Sequence, residues 1–296
     1  MYERVLIPTD GSDHAIRAAR HGLWLADTFD ADVEVLTVLD TQRIAGPFDA
    51  GGLDESYLEQ LEVDRREYLD EVAALAPTAK TVEKTVLRGR PADQILEHAA
   101  DTDADLIAMG TRGRSGLERY LVGSVAEGVL RQSSIPVFTT QATDHDESRF
   151  VYSDVLVPTD GSETARTAID HAIEIASVTN GHVHGLSAFE AGAIEATAGP
   201  DSELEARLRE QFESAAETVA RRAGQAGLHA TTTVREGRPR DAIDAYVIDH
   251  DVDLIVIGTH GRSGLERYLL GSTTEWLLRH TDVPVLAVPP ADVGQE

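Results

Sequence analysis

Cysteine is absent from all 296 residues, which removes disulfides, thiolate catalysis and cysteine-held metals at once. Lysine is nearly absent too: Lys80 and Lys84 are the only two, and arginine carries the rest of the positive charge. No apolar run approaches the roughly 18 residues that a membrane-spanning helix needs. The N-terminal segment, MYERV, enters a strand-like pattern directly and lacks the basic region, apolar stretch and cleavage site of a signal peptide. A cytoplasmic location without a membrane partner is the expectation.

Positive charge is scarce overall. Against 52 acidic residues stand 26 basic ones, a formal net charge of −26. Such a surface repels nucleic-acid phosphates and anionic membranes at long range, so no nucleic-acid partner is expected. An acidic patch for a basic partner is one reading of the excess. The favoured one spreads the acids over every exposed helix face, because no run of like charge is long enough to be an acidic tail. Such a halophilic surface keeps a chain soluble in a high-salt cytoplasm, where the Debye length falls to about 3 Å at 1 M.

What is abundant is self-similarity. VLIPTDGS at 5–12 recurs as VLVPTDGS at 155–162, and GRP at 89–91 recurs at 237–239. The nine residues GRSGLERYL at 113–121 recur unchanged at 261–269, and each copy continues through one aliphatic residue to Gly-Ser, at Gly123-Ser124 and Gly271-Ser272. A period this long means duplicated domains rather than a solenoid. The expected division is a first domain over 1–141, a polar linker over 142–150 and a second domain over 151–290.

Within each copy, strand and helix patterns alternate. The spacing predicts strands over 4–9, 32–39, 80–87, 105–109 and 135–139. Helices are expected from Ser12 to about residue 29, and over 55–75, 91–100 and 123–132; the second copy repeats the series from 154 to 288. Ser12 suits a helix cap and Pro91 a first helical turn. Alternation of this kind implies an α/β fold, a parallel sheet covered by helices on both faces.

In such a sheet ligands bind beyond the carboxyl ends of the strands, and two motifs fall there. Asp10, with its counterpart Asp160, follows the first strand; its carboxylate can accept from a ribose hydroxyl or a base amine, or simply form an Asx turn. GTRG at 110–113 and GTHG at 258–261 follow the fourth strand of each copy, nine residues ahead of Gly123-Ser124 and Gly271-Ser272. Glycines at a strand end admit phosphate to backbone N–H groups, and a helix N-terminus attracts anions. The alternative is an ordinary glycine turn with a serine cap. Arg112, Arg114 and Arg119 gather in this loop, as do Arg262 and Arg267. Phosphate contact is the expectation for Arg114 and Arg262, and pairing with carboxylates such as Glu118 and Glu266 for the others. There is no P-loop, no Gly-x-Gly-x-x-Gly fingerprint and no carboxylate pair at metal-binding spacing. The histidines, among them His14, His21, His98, His171, His250 and His280, read as satisfied or surface residues. Trp24 and Trp276 read as core.

On these motifs the chain resembles the ATP-binding branch of the universal stress protein family, as a tandem double-domain member. The resemblance covers both halves. It implies two Rossmann-like domains, each with a five-stranded parallel sheet whose last strand pairs domain to domain, within the chain or in a homodimer. It also implies an adenine nucleotide, ATP or AMP, as ligand, with Mg2+ admitted beside the phosphates. Asp10 would contact the adenosine moiety, the Val38 backbone would read the adenine edge, and Gly110, Gly113, Gly123, Ser124 and Val125 would line the phosphates. In the second copy these positions are Asp160, Ala188, Gly258, Gly261, Gly271, Ser272 and Thr273. Ala188 replaces Val38, and His260 replaces Arg112. The favoured function is stress-responsive nucleotide binding that alters association, with no catalytic residue assigned. A slow ATP hydrolase and a structural pairing module with vestigial sites are the alternatives.

Overall fold

Helices and strands alternate in both halves as the pattern requires. The structure, a computed structural model, describes residues 2–45, 55–77, 80–113, 122–141, 152–190, 203–261 and 270–291. The chain divides into two compact units, Met1–Glu147 and Ser148–Glu296.

The first unit runs β1 (Arg4–Pro8), α1 (Asp13–Phe29), β2 (Asp32–Asp40), α2 (Thr41–Ala45), α3 (Glu55–Ala73), β3 (Val82–Gly89), α4 (Pro91–Asp101), β4 (Leu106–Gly110), α5 (Ser124–Gln132) and β5 (Val137–Thr140). Its strand order is β3-β2-β1-β4-β5, every pair parallel. The second unit runs β6 (Asp154–Pro158), α6 (Glu163–Thr179), β7 (His182–Phe189), α7 (Glu203–Gln225), β8 (Ala230–Glu236), α8 (Pro239–Asp249), β9 (Leu254–Gly258), α9 (Ser272–His280) and β10 (Val285–Val288). Its order is β8-β7-β6-β9-β10, again parallel throughout. Each unit is thus a five-stranded Rossmann-like sheet. The order reverses between the first and fourth strands of each, where the crossovers leave for opposite directions.

Burial follows from that layout. The central strands β4 and β9 are buried at every residue, as expected of parallel strands covered on both faces. The outer strands β3 and β8 have no fully buried residue. β3 carries Lys84 paired to Asp70 at 2.7 Å and Arg88 paired to Glu55 and Glu62 at 2.7 and 2.6 Å, charges that blunt an exposed sheet edge. Helix α1 lays Ala15, Ala18, Ala19, Gly22, Leu23 and Ala26 on the sheet, at the spacing of three and four that one helical face provides. Truncating a fully buried strand residue such as Leu106 costs about 2–5 kcal/mol.

Two devices recur in both units. Ser12 and Ser162 accept from the Ala15 and Ala165 amides at 3.3 and 3.2 Å, side-chain caps worth about 1 kcal/mol each. Asp105 Oδ2 braces the amides of Glu3 and Arg4, as Asp253 Oδ2 braces Ser153 and Asp154.

Boundaries differ from the sequence pattern in three places. β3 begins at Val82, because Lys80 folds back to donate to the Ala26 carbonyl at 3.2 Å and pair with Asp30, a cation at the end of α1 where carbonyls await partners. β5 begins at Val137, because Pro136 has no N–H to give the ladder, although its carbonyl accepts from Ile107. The short helix α2 has no periodic signature at all.

Candidate functional site

The carboxyl ends of β1, β2 and β4 open on a cleft of about 440 Å³, at the reversal of strand order where α/β sheets take their ligands. Seven sequence-derived positions of the first unit meet there: Asp10, Val38, Gly110, Gly113, Gly123, Ser124 and Val125. They come from four separate segments, so only the fold brings them together.

Asp10 does two things. Its Oδ1 accepts from the Ser12 amide at 3.1 Å, the Asx turn that starts α1. Its Oδ2 lies against Gly113, where an added Cβ would stand only 2.5 Å away. The turn itself needs glycine at residue 11, whose φ is +74° and whose α-carbon packs against the Tyr68 ring. Oδ1 thus serves the turn, whereas Oδ2 is turned toward the loop glycine.

The loop glycines divide by cause. At Gly110 a Cβ would meet the His14 carbonyl carbon at 2.7 Å and the Ala15 nitrogen at 3.0 Å. Packing against the start of α1 therefore demands glycine there without any ligand. At Gly113 the Asp10 carboxylate makes the same demand. At Gly123 the nearest neighbour among the described residues, the Thr111 oxygen, is 3.4 Å away, an ordinary contact distance for a Cβ. Gly123 is also the N-cap of α5 and provides no side-chain bond. That separates α5 from the serine-capped α1: the expected serine is the first helical residue, not the cap. The first-turn amides of a helix have no intrahelical acceptors, and here they begin at Ser124 and Val125, on the cleft wall.

Charge in the cleft runs against the chain's average. Three arginines, Arg43, Arg65 and Arg112, line it beside two aspartates, Asp10 and Asp40, in a chain with twice as many acids as bases. Arg112 Nη2 donates to Gln141 Oε1 at 3.2 Å. Burial, and after it the Arg112 guanidinium, hold the His14 imidazole below the usual histidine value. Arg114 and Arg262, and with them Arg119, Arg267, Glu118 and Glu266, lie outside the described residues.

The second unit repeats the backbone of this arrangement. Asp160 Oδ1 accepts from Ser162 at 2.9 Å, and a Cβ at Gly261 would stand 2.9 Å from Asp160 Oδ2. Gly258 ends β9 against Thr164. Gly271 is the uncapped N-cap of α9, with Ser272 and Thr273 opening the helix. Its amide donates to the Thr259 carbonyl at 2.7 Å, as Gly123 does to Thr111. Ala188 lies on β7 in register with Arg235, as Val38 lies on β2 in register with Leu87.

Sequence reasoning missed Arg43 and Ile44, which reach the cleft from α2, and Arg65, which reaches it from α3. Arg65 had a signal. It sits seven residues from each of Leu58 and Val72, both buried, and an arginine on an apolar stripe needs a reason. It missed as well a cluster in the second unit, Asp154 with His182 and His184, whose ligand-type atoms lie within 4.8 Å of one another.

Fold and site together define a duplicated Rossmann-like protein with its cleft at the reversal of strand order. Comparison with known proteins narrows that class. The model of the universal stress protein family matches residues 1–141 and again 152–289, and the chain belongs to that family. A universal stress protein of Methanocaldococcus jannaschii is 39% identical over 142 residues, covering 48% of this chain and 83% of the relative. One from Mycolicibacterium smegmatis is 28% identical over 299 residues and covers 97% of both chains. Among solved structures, a universal stress protein from Archaeoglobus fulgidus superposes with a TM-score of 0.73 at 26% identity, covering 97% of this chain and 98% of that one. Among the described residues, no helix is long and apolar enough to cross a membrane.

Proposed function

We propose that each unit binds one adenine nucleotide, ATP or AMP, and that occupancy changes how the protein associates rather than driving a reaction. The observation that carries this reading is Gly123. Among the described residues nothing comes closer than 3.4 Å to a Cβ there, yet the residue is glycine, at an uncapped helix start facing a cleft lined by three arginines. A phosphate chain uses such a place through free amides, helix dipole and guanidinium groups together. The adenosine end would lie toward Val38 and the carboxylate of Asp10, and Mg2+ would accompany the phosphates of ATP in a cytoplasmic protein.

A second reading, slow ATP hydrolysis, has one observation in its favour: Asp10 borders the adenosine end but turns Oδ2 toward the Gly113 loop, and a carboxylate reaching that way can orient water. Association would run through β5 and β10, each the outermost strand in its unit's order. An apolar strand of this kind needs a cover, and two copies in one chain, or in a homodimer, supply it by antiparallel pairing.

Mass spectrometry of nucleotide released from purified protein, followed by incubation with ATP and Mg2+, tests the proposal. Retained ATP or AMP without turnover is expected; turnover would favour the hydrolase, and no retained nucleotide would favour a pairing module. Gly123→Ala should keep the fold and weaken nucleotide binding at the first site about tenfold, the loss of one charge-assisted bond.

A further inference from the structure

At the opposite end of the second unit's sheet, Asp154 begins β6 and His182 lies beside it in register on β7, with His184 two residues further along the same face. His184 Nε2 stands 2.9 Å from Asp154 Oδ1, and His182 Nδ1 stands 4.0 Å from the same oxygen. Each imidazole has its other nitrogen engaged by a hydroxyl. His182 Nε2 is 2.8 Å from Thr231 Oγ1, and His184 Nδ1 is 3.0 Å from Tyr246 OH. When those outer nitrogens carry the hydrogens, two imidazole lone pairs and a carboxylate oxygen face one point. Histidines that hold metals are oriented in this way by a partner on the far nitrogen.

The first unit shows what that point attracts. The corresponding positions are Arg4 on β1 and Asp32 and Glu34 on β2, with His98 on α4 in the place of Tyr246. There the Arg4 guanidinium approaches Asp32 at 4.0 Å and Glu34 at 3.9 Å, and Glu34 also meets Thr85 and His98. The first unit therefore carries its own cation among its acceptors. The second puts a carboxylate where the arginine was and imidazoles where the carboxylates were, so the acceptors converge without a built-in arginine or lysine among the described residues.

We propose that Asp154, His182 and His184 form a binding site for one divalent transition-metal ion, with Zn2+ as the best fit. Two imidazoles and one carboxylate suit Zn2+, which takes nitrogen and oxygen ligands at about 2.0–2.2 Å. Three such ligands stand about 3–4 Å apart around the ion, close to the separations present. His184 is buried, its side chain 5% exposed, whereas Asp154 and His182 are 35% and 38% exposed. The ion would enter from the solvent side, and water would complete its coordination. It would join β6 to β7 at the end of the sheet away from the nucleotide cleft, so the site stands or falls apart from the nucleotide reading.

The test is calorimetric titration of Zn2+ into the untagged, chelator-stripped full-length protein in about 1 M KCl, where the acidic surface is screened. The expected result is one ion per chain, with a rise of several degrees in the thermal midpoint as the bound state is favoured. His182→Ala, at a half-exposed position, should abolish the saturable site while leaving the circular dichroism spectrum unchanged, and Asp154→Asn should do the same. Tyr246→Phe, which removes the hydroxyl from the outer nitrogen of His184 and from Thr233, should weaken binding about tenfold, the lower end of an outer-shell loss. Co2+ bound in place of Zn2+ should give visible absorption that His182→Ala removes. Zn2+ binding of unchanged stoichiometry and affinity in both His182→Ala and Asp154→Asn would overturn the proposal, as would no saturable binding by the unmodified chain.

Discussion

The two units agree at one end of their sheets and disagree at the other. At the carboxyl ends of the strands the agreement extends to single atoms. Each aspartate uses Oδ1 for the serine amide two residues on and turns Oδ2 toward the loop glycine. Each fifth-strand helix starts on an uncapped glycine, and each of those glycines donates to the threonine carbonyl after the fourth strand. At the amino ends, arginine with two carboxylates in one unit becomes aspartate with two histidines in the other. The paired aspartate braces of β1 and β6 persist there, so the backbone has not changed. What changed is only which side chains meet. At the carboxyl end the glycines and the aspartate recur in both units while neighbouring side chains differ, Arg112 against His260 and Val38 against Ala188. The end built from side chains can trade one charge arrangement for another wherever the total remains satisfied.

The largest effect should come from breaking the part the units share. Gly113→Val drives its Cβ to 2.5 Å from the Asp10 carboxylate, while Gly261→Val meets Asp160 at 2.9 Å. Neither glycine has a φ in the left-handed region, so the cost falls on the cleft rather than on the backbone. Each variant should lose nucleotide binding at its own site by at least about 100-fold, two charge-assisted bonds' worth, and leave the other site unaffected. Calorimetry that found normal affinity at the altered site would remove the loop from the phosphate assignment.

A second shared feature is thermodynamic. His21 and His171 occupy matching places on α1 and α6, and burial takes each down to about 4; for His21 the Arg17 charge adds to the effect. Both are neutral in the folded protein, whereas in the unfolded chain histidine protonates near pH 6.5. The unfolded state then binds more protons between those values, so stability is full above about pH 6.5 and falls as the pH drops toward 4. The loss is on the order of 3 kcal/mol for His21, packed against the Phe138 ring, and smaller for the less enclosed His171. Denaturant midpoints from pH 7 to 4.5 should show a flatter profile for His21→Leu than for the unmodified chain. Parallel profiles would mean that protonated His21 is accommodated.

Much of this was legible in the residues because the repeat reads the same pattern twice. VLIPTDGS and its copy place a strand, a turn and a capped helix, and the structure builds all three at both sites. The loop glycines were legible as a set but not by cause. The structure shows that Gly110 answers to the His14 backbone and Gly113 to Asp10, while at Gly123 a Cβ would meet nothing closer than 3.4 Å among the described residues. Arg43 was not legible, because α2 is five residues long and too short for a period. Asp154, His182 and His184 were not legible either. Their proximity arises from the register between β6 and β7, a non-local fact that no local motif records.

The smallest expected effect separates the two copies most finely. The residue ahead of the second loop glycine is Arg112 in the first unit and His260 in the second. Arg112 lines the cleft and is steadied by Gln141. His260 directs Nδ1 to Thr259 Oγ1 at 2.9 Å, and its buried Nε2 has no hydrogen-bond partner among the described residues. A guanidinium meets phosphate with two parallel bonds and a permanent charge, whereas an imidazole gives at most one bond. At pH 8 the first site should therefore bind ATP about 3–10-fold more tightly than the second, roughly 1 kcal/mol. Arg112→His and His260→Arg, each measured with the other site silenced by its glycine-to-valine change, should exchange the two affinities. AMP, with fewer phosphate oxygens to engage, should register the exchange less than ATP. Affinities that stay with the unit rather than following the side chain would make Arg112 a brace for Gln141 and leave phosphate recognition to the backbone amides of α5 and α9.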